Sequence, residues 1–482
     1  MKHIKYLVFA ITAFVLTSCS DEFLNPLPDT SVAVDAFFQS DEDVLAGVIG
    51  IYDALQGVNE NTVTNIGTAN RGVQFEHLLT EHRTDNTRNA TLEGSKSDFH
   101  RYVVNANNVE SEDYYASMYE VIFRANNILN FIDVADAGNR ARYTAEAKFL
   151  RAYAYFKLVR LYSDVPLVTE VVGPTDEEAL FTRIPEEQIY TQIVADLQEA
   201  VDVLDNSFKS RASRASAQAL LAKVYLTQPS PNYTGAEQLC EAIISSGNFA
   251  LEPNFYDVFY SELNDEIIFA IQYESGNALE SQSFSSEFTS AIRAGREDGQ
   301  NIVNDNLITD FVAFGGARTA ISYTTVNGSN EVAKFFPDGF DSTAEPDPYG
   351  PNARNAGNDY IAIRYADVLL MHVEAAIGSG TTTSDAGALV SFQMIRDRAF
   401  PETAPNIISS VSKQELLVER RVELAFENQR WFDLLRFGVA DEVLTAHAAE
   451  MGYIYNSRAL LLPIPAREIN ISKGLLTQNP GY

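Results

Sequence analysis

The chain is poor in cysteine, tryptophan and histidine, and its acidic residues far outnumber its basic ones. Among 482 residues there are 2 cysteines, 1 tryptophan and 6 histidines. Cys240 stands alone in a helical stretch without a nearby base, so we expect a small buried side chain rather than a catalytic thiol. The formal net charge of −31 argues against nucleic acid as a partner, because a protein without a basic face repels phosphates.

Motifs for nucleotide, nucleophilic and metal chemistry are also missing. The sequence contains no P-loop, no dinucleotide-binding glycine motif and no G-x-S-x-G elbow. His77 and His82 each follow a glutamate, but they lie five residues apart, not the four that puts two ligands on one helical face. The acidic segment 338–347 lacks the alternating spacing of an EF-hand loop. We therefore predict no catalytic residue, no cofactor and no metal site, with calcium at 338–347 left open.

Four carboxylates near the C-terminus are of the type that a glycosidase uses as a pair. They follow one predicted helix, from Ser412 to Gly438, which begins with a Ser412–Glu415 capping box. The four are Glu415, Glu419, Glu423 and Glu427. Three arginines lie within a helical turn of several of them, so we interpret the set as a structural ion network. Trp431 lies on the same patterned helix and is predicted to be in the core.

The stretch from Tyr143 to Pro166 predicts the architecture. Placed on a helix, its apolar residues form two opposed stripes. One stripe contains Ala145, Phe149, Ala152, Phe156 and Val159, and the other contains Leu150, Ala154, Leu158 and Leu161. A surface helix needs only one apolar stripe, so two stripes indicate a helix packed between two neighbours. With 46% hydrophobic residues, the chain is predicted to be mainly α, built from stacked helical hairpins of the tetratricopeptide type.

The N-terminus has the pattern of a lipoprotein leader. Lys2 and Lys5 precede an apolar run that is too short to cross a bilayer. Residues 16–19 then resemble a bacterial lipobox, and the acidic residues that follow resemble a signal for the cell surface. We predict a signal peptide over residues 1–18, acylation of Cys19, and a lipidated tether over residues 19–40.

Four stretches together resemble the SusD/RagB family of Bacteroidetes outer-membrane lipoproteins. They are AEAKFLRAYAYFKLVRLYSDVPLV, RYADVLLMHVEA, ERRVELAFENQRWFDLLRFG and the C-terminal LLPIPAREI…TQNPGY. The resemblance implies one continuous SusD-like domain over residues 41–482. Its helical scaffold would comprise residues 41–265 and 359–482, with a loop-rich insertion of short strands at 275–358.

The resemblance also implies glycan binding by surface loops, and two irregular segments have suitable side chains. Sugars present apolar faces to aromatic rings and hydroxyls to planar polar groups. In and around residues 80–109 the candidates are Arg71, Arg83, Asp85, Asn86, Arg88 and Tyr102. In and around the insertion they are Tyr273, Arg318, Tyr323, Phe335 and Phe336.

The function that follows from this resemblance is a lipid-anchored protein of the outer membrane, exposed at the cell surface. It would bind an oligosaccharide or polysaccharide and pass it to a SusC-like TonB-dependent transporter. A helical adaptor or lid of the transporter without sugar affinity, and a binder of another nutrient, remain alternatives. Whether the glycan is neutral or anionic is also open.

Overall fold

α-Helices dominate the structure, as the sequence predicts. The computed structural model describes residues 37–57, 70–173, 175–277, 279–288, 301–326, 328–336, 356–402 and 407–482. Its α-helices are α1 Asp41–Leu55, α2 Gly72–Leu79, α3 Val109–Asn130, α4 Arg140–Tyr162, α5 Glu177–Phe181, α6 Glu186–Val203, α7 Arg214–Thr227, α8 Tyr233–Ser246, α9 Asp257–Tyr260, α10 Phe284–Glu287, α11 Asp305–Asp310, α12 Thr319–Ser322, α13 Tyr365–Ile377, α14 Ala386–Ala399, α15 Lys413–Glu423, α16 Arg430–Arg436, α17 Ala440–Met451 and α18 Ala466–Ile471.

The strands are short. They are β1 Thr87–Arg88, β2 Val165–Pro166, β3 Arg183–Ile184, β4 Ile267–Ile271, β5 Ile302–Val303, β6 Tyr323–Val326, β7 Ser329–Val332, β8 Tyr360–Arg364, β9 Thr382–Thr383 and β10 Val411–Ser412. The predicted leader, the tether with Cys19 and the acidic segment 338–347 lie outside the described residues. Within the described residues, no helix combines the length and the apolarity that crossing a bilayer requires.

The long helices pack against one another in series. α1 contacts α3, α3 contacts α4, α4 contacts α6, and the series continues through α7, α8, α13 and α14. α4 therefore lies between α3 and α6, and both of its apolar stripes are buried. The prediction of stacked helical hairpins is confirmed.

Most of the charged residues between the stripes of α4 are buried as well, and they form ion pairs. Arg151 donates two hydrogen bonds to Asp196 of α6, at 2.9 and 2.8 Å. Glu146 accepts from Arg142 and Arg211, at 2.9 and 2.8 Å. Because an unpaired buried charge is costly, these pairs fix which helix faces meet.

The C-terminal region departs from the predicted helix over Ser412–Gly438. The capping box at Ser412 is present, but the chain forms two helices, α15 and α16. Between them Phe426 and Asn428 have φ values of 71° and 59°, in the left-handed region. A right-handed helix cannot continue through such residues, so the ladder of hydrogen bonds stops.

The insertion contains short strands, as predicted, and they form a small sheet together with β1 of the first irregular segment. Four strands pair antiparallel in the order β1-β5-β7-β6. Within this sheet Arg88 is opposite Ile302, and Ile302 is opposite Glu331. The insertion also contributes the short helices α10, α11 and α12, which the sequence analysis did not predict. The first irregular segment and the insertion are thus joined through one sheet.

Candidate functional site

The candidates from the first irregular segment lie mostly in the interior. Arg83 is buried against the ring of Trp431, with its guanidinium carbon 3.7 Å from the ring centroid. Its guanidinium donates to the carbonyl oxygens of Leu79 and Ala459. Since the side chain is enclosed on all sides by these partners, we correct its assignment from a ligand contact to a structural residue. The predicted core position of Trp431 is confirmed.

Asp85 and Asn86 are also buried and engaged. Asp85 accepts hydrogen bonds from Arg430, both at 2.9 Å, and pairs with Arg421 at 2.9 Å. These two arginines hold the pKa of Asp85 well below its usual range, although burial alone would raise it. Asn86 accepts from Arg421 at 2.8 Å and donates to Glu81 at 2.7 Å. Neither side chain has a free polar group at the surface, so their predicted ligand contact is corrected too.

The candidates in and around the insertion also include several buried residues. Arg318 is fully buried and pairs with Glu419 and Glu423, each at 2.7 Å. Tyr273 and Phe335 pack edge-to-face on the ring of Phe284, with centroids 6.0 and 5.9 Å away, so both belong to the core. Their predicted role as sugar platforms is corrected, because a buried ring has no face for a ligand.

Of the five remaining candidates, Tyr102 is buried: its ring packs edge-to-face on that of Tyr455, with the centroids 5.2 Å apart. The other four are partly accessible to solvent. The accessible ones are Arg71, Arg88, Tyr323 and Phe336. Arg71 lies 3.7 Å from Glu287, and Tyr323 packs on Phe311. Arg88 lines an open cleft beside the four-stranded sheet.

We call this cleft the sheet cleft. Its volume is about 300 Å³, and it brings the first irregular segment, the insertion and α17 together. The lining residues are Arg88, Ile302, Val303, Asn304, Asp305, Asn306, Gly328, Ser329, Asn330, His447, Glu450 and Met451. Most of these side chains carry amide, carboxylate, guanidinium or hydroxyl groups.

Hydrogen bonds hold the walls of the sheet cleft in place. The backbone N–H of Asn304 donates to the carbonyl of Asn86, at 2.9 Å. Asn304 Nδ2 lies 3.4 Å from Nε2 of His447. Burial lowers the pKa of His447, so its imidazole is neutral at pH 7 and Nε2 can accept this proton. Arg421 donates to Asn86 and to Asn306, at 2.8 and 3.0 Å, and so connects the two segments behind the cleft.

The sheet cleft is equipped for hydrogen bonding to a polar ligand. The Asn304 side chain is 5% exposed, and its Oδ1 has no partner among the described residues. Arg88 and Asn330 add a donor group and an amide at the rim, while Ile302 and Met451 add apolar contact. Of these residues, only Arg88 was predicted from the sequence as a ligand contact. His447 lies more than 100 residues away on another helix, and no local pattern points to it.

Three of the four carboxylates do form a buried ion network, but the arginines predicted as their partners are wrong, and the observed partners come from other elements. Glu423 pairs with Arg318, Arg364 and Arg398, and Glu427 pairs with Arg364 and Lys334. Glu415 instead caps α15 through Ser412. The neighbouring Arg420 and Arg421 pair away from these glutamates, with Asp367 and with Asp85. Carboxylates neutralised in this way do not form a pair across a cleft as glycoside hydrolysis requires.

The class of protein that the structure defines is a scaffold of stacked helical hairpins with a polar surface cleft. Comparison with known families agrees. A family model described as the SusD family matches residues 315–482, and one described as "Starch-binding associating with outer membrane" matches residues 22–226. Together they cover more than half of the sequence. The chain belongs to the SusD/RagB family, and the prediction from its motifs is confirmed.

Individual relatives extend over the whole chain. SusD-like protein P2 of Formosa agariphila is 27% identical, over 99% of both chains. A SusD-like protein of Bacteroides ovatus is 28% identical, over 89% of this chain and 82% of its own. Among solved structures, one named "Laminarin binding SusD-like protein" is 25% identical with a TM-score of 0.73, and the match covers 92% of this chain and all of that one.

Proposed function

We propose that this protein binds a glycan at the cell surface, with the sheet cleft as part of the binding site. The observation that carries the proposal is the pairing of β1 with β5, which joins the two polar segments around one cleft of about 300 Å³. The laminarin-binding relative supports a sugar as ligand. We expect binding without chemistry on the glycan, because the carboxylates of α15 and the residues after it are ion-paired.

Sugar hydroxyls are suitable partners for the groups in the sheet cleft. A sugar hydroxyl donates one hydrogen bond and can accept others. It can therefore accept from the guanidinium of Arg88, and it can both donate to and accept from the side-chain amides of Asn304 and Asn330. Among the described residues, the lining has the imidazole of His447 but no phenylalanine, tyrosine or tryptophan ring. Contact is therefore mainly polar and wet, and we expect a micromolar to millimolar Kd for a short oligosaccharide.

Delivery to a SusC-like TonB-dependent transporter and anchoring by lipid complete the proposal. Both rest on the family and on the leader, whose Cys19 lies outside the described residues. In cells of a Bacteroidetes host, Cys19→Ala should shift the protein out of the outer-membrane fraction. If the variant stays membrane-bound and cell-exposed, lipidation of Cys19 is not the anchor.

Calorimetry against a polysaccharide panel tests the binding site, with laminarin as the first ligand. We expect Arg88→Ala and Asn330→Ala each to weaken binding by about fivefold to tenfold, as loss of one hydrogen-bonding group does. Asn248→Ala, at an exposed residue that does not line the cleft, is the matched control. Unchanged affinity in both cleft variants, with retained binding overall, would move the site elsewhere. Absence of binding to every glycan would reject the function.

A protein-docking adaptor is the second candidate, and one observation favours it. Phe314, Phe392 and Ile408 form the apolar part of a second cleft of about 480 Å³, which polar residues such as Arg396 and Gln414 also line. Exposed apolar patches of this type are typical of protein contacts. If a variant that no longer binds any glycan still binds the transporter, the adaptor function is supported.

A further inference from the structure

A buried histidine faces a group of carboxylates where three helices of the scaffold meet. His372 lies on α13, Glu237 and Glu241 lie on α8, and Asp385 caps the start of α14. The helices α8, α13 and α14 are successive members of the stack. Only 3% of His372 is exposed to solvent. None of the residues of this cluster lines the sheet cleft.

The imidazole of His372 is held by one nitrogen and left open at the other. Its Nδ1 lies 2.9 Å from the hydroxyl of Ser391 on α14. Its Nε2 is buried and has no hydrogen-bond partner among the described residues. A buried polar atom without a partner costs free energy, so native structures seldom retain one without a water or an ion.

The open nitrogen is directed at oxygen ligands. Nitrogen and carboxylate oxygen atoms of His372, Glu237 and Asp385 all lie within 4.8 Å of one another. A carboxylate oxygen of Glu241 lies 4.0 Å from Nε2, which is too far for a hydrogen bond. Three carboxylates around one neutral ring leave a concentrated negative charge with no cation among these groups.

A cation would answer both features of the cluster at once. It would accept the lone pair of His372 Nε2, which no hydrogen bond uses, and it would neutralise the carboxylates around it.

We propose that His372, Glu237 and Asp385 bind a divalent transition metal of the zinc type. A neutral imidazole nitrogen with carboxylate oxygens is a ligand set for Zn²⁺, whereas Mg²⁺ and Ca²⁺ prefer oxygen alone. The Nδ1–H of His372 would donate to Ser391, which fixes the ring with its Nε2 lone pair toward the ion. Glu241 or water would complete a tetrahedral shell.

Small side-chain movements suffice to form the shell. Ligands of one tetrahedral zinc ion lie roughly 3.4 Å apart, since each bond is about 2.1 Å. Glu237 and Asp385 are partly or fully exposed and can each move by about an ångström, while the buried His372 stays fixed. Gly387 leaves the needed room: a Cβ there would lie only 3.3 Å from Cε1 of His372. The ion would connect three successive helices of the stack.

The test is calorimetry with ZnCl₂ on the chelator-treated protein. We expect one ion per chain, and we expect Glu237→Gln and Asp385→Asn each to lower the affinity by at least tenfold. Asp385→Asn keeps a side-chain oxygen for the cap of α14. Glu442→Gln, at an exposed carboxylate on α17, is the control and should leave affinity unchanged.

A second probe keeps the test decisive if a variant of the buried histidine fails to fold. Co²⁺ in a tetrahedral site with imidazole and carboxylate ligands gives visible d–d bands, which should appear with the wild type and weaken in Glu237→Gln. No binding of Zn²⁺ up to millimolar concentration would overturn the proposal. Binding that both carboxylate variants retain at full affinity would overturn it as well, because the ion would then lie elsewhere. Neither result bears on glycan binding.

Discussion

Replacement of His77 by glutamine tests how the interior behind the sheet cleft responds to pH. The imidazole is buried in α2, at a centroid distance of 4.6 Å from the ring of Phe288 and 5.2 Å from that of His82. Its Nδ1 lies 3.0 Å from Oδ1 of Asn428. Burial lowers the pKa of His77 from 6.5 to about 4, despite opposing hydrogen bonds from asparagine side chains.

The sign and size of the effect follow from this shift. The pKa of His77 is lower in the folded than in the unfolded protein, so the unfolded chain binds more protons at mildly acidic pH. The neutral ring therefore contributes fully above pH 6.5, and that contribution is lost as the pH falls toward 4. Between pH 7 and pH 5 the loss is about 2 kcal/mol, since one pH unit below 6.5 corresponds to about 1.4 kcal/mol.

Urea unfolding at pH 7 and at pH 5 measures this contribution. His77→Gln should be less stable than the wild type at pH 7, and the gap should shrink by about 2 kcal/mol at pH 5. The two proteins share their other titrating groups, including Glu81, whose pKa burial raises to about 7. The change in the stability difference between them therefore reports on His77. Phe288→Leu changes the same contact without a titrating group, so its destabilisation should not depend on pH. An equal gap for His77→Gln at both pH values would refute the reasoning.

Two further pairs of variants test the scaffold, each by urea unfolding. Arg151→Ala leaves Asp196 buried and unpaired and should cost about 3–5 kcal/mol, whereas Lys148→Ala breaks a partly exposed pair and should cost less than about 1 kcal/mol. Similar losses of unfolding free energy in these two variants would contradict this expectation. Gly316→Ala, at a φ of 56° with its Cβ colliding with the backbone of Ala399, should cost about 3 kcal/mol or more; Gly94→Ala, at a φ of 83° in open space, should cost about 1 kcal/mol.

The framework was predictable from the sequence because its signals are local and periodic. The two apolar stripes of α4, the capping box at Ser412 and the core position of Trp431 each depend on residues within one or two helical turns. Family motifs lie in these same helices. The break after Glu423 was not predictable in this way, since residues 424–429 carry neither proline nor glycine. It takes positive φ values at Phe426 and Asn428 that tertiary contacts impose.

The site was less predictable, because residue type alone does not distinguish a ligand contact from an internal ion pair. Arginine, aspartate and asparagine in an irregular segment suit sugar hydroxyls, and they equally suit one another. Arg83, Asp85 and Arg318 are buried with complementary partners that lie far away in the sequence. The two segments do lie together, since they meet in one sheet. Which side chains face outward depends on strand pairing that has no local signal.

Arg421 shows why buried charge and a surface cleft occur together in this protein. Its guanidinium contacts Asp85 and Asn86 from the first segment and Asn306 and Asp310 from the insertion. At this point the two segments meet through polar side chains, and directional pairs with one arginine hold them together. Such pairs fix distance and orientation, because a guanidinium offers five donors in a rigid plane. The sheet cleft, whose walls these segments form, therefore lies beside a buried arginine that connects them.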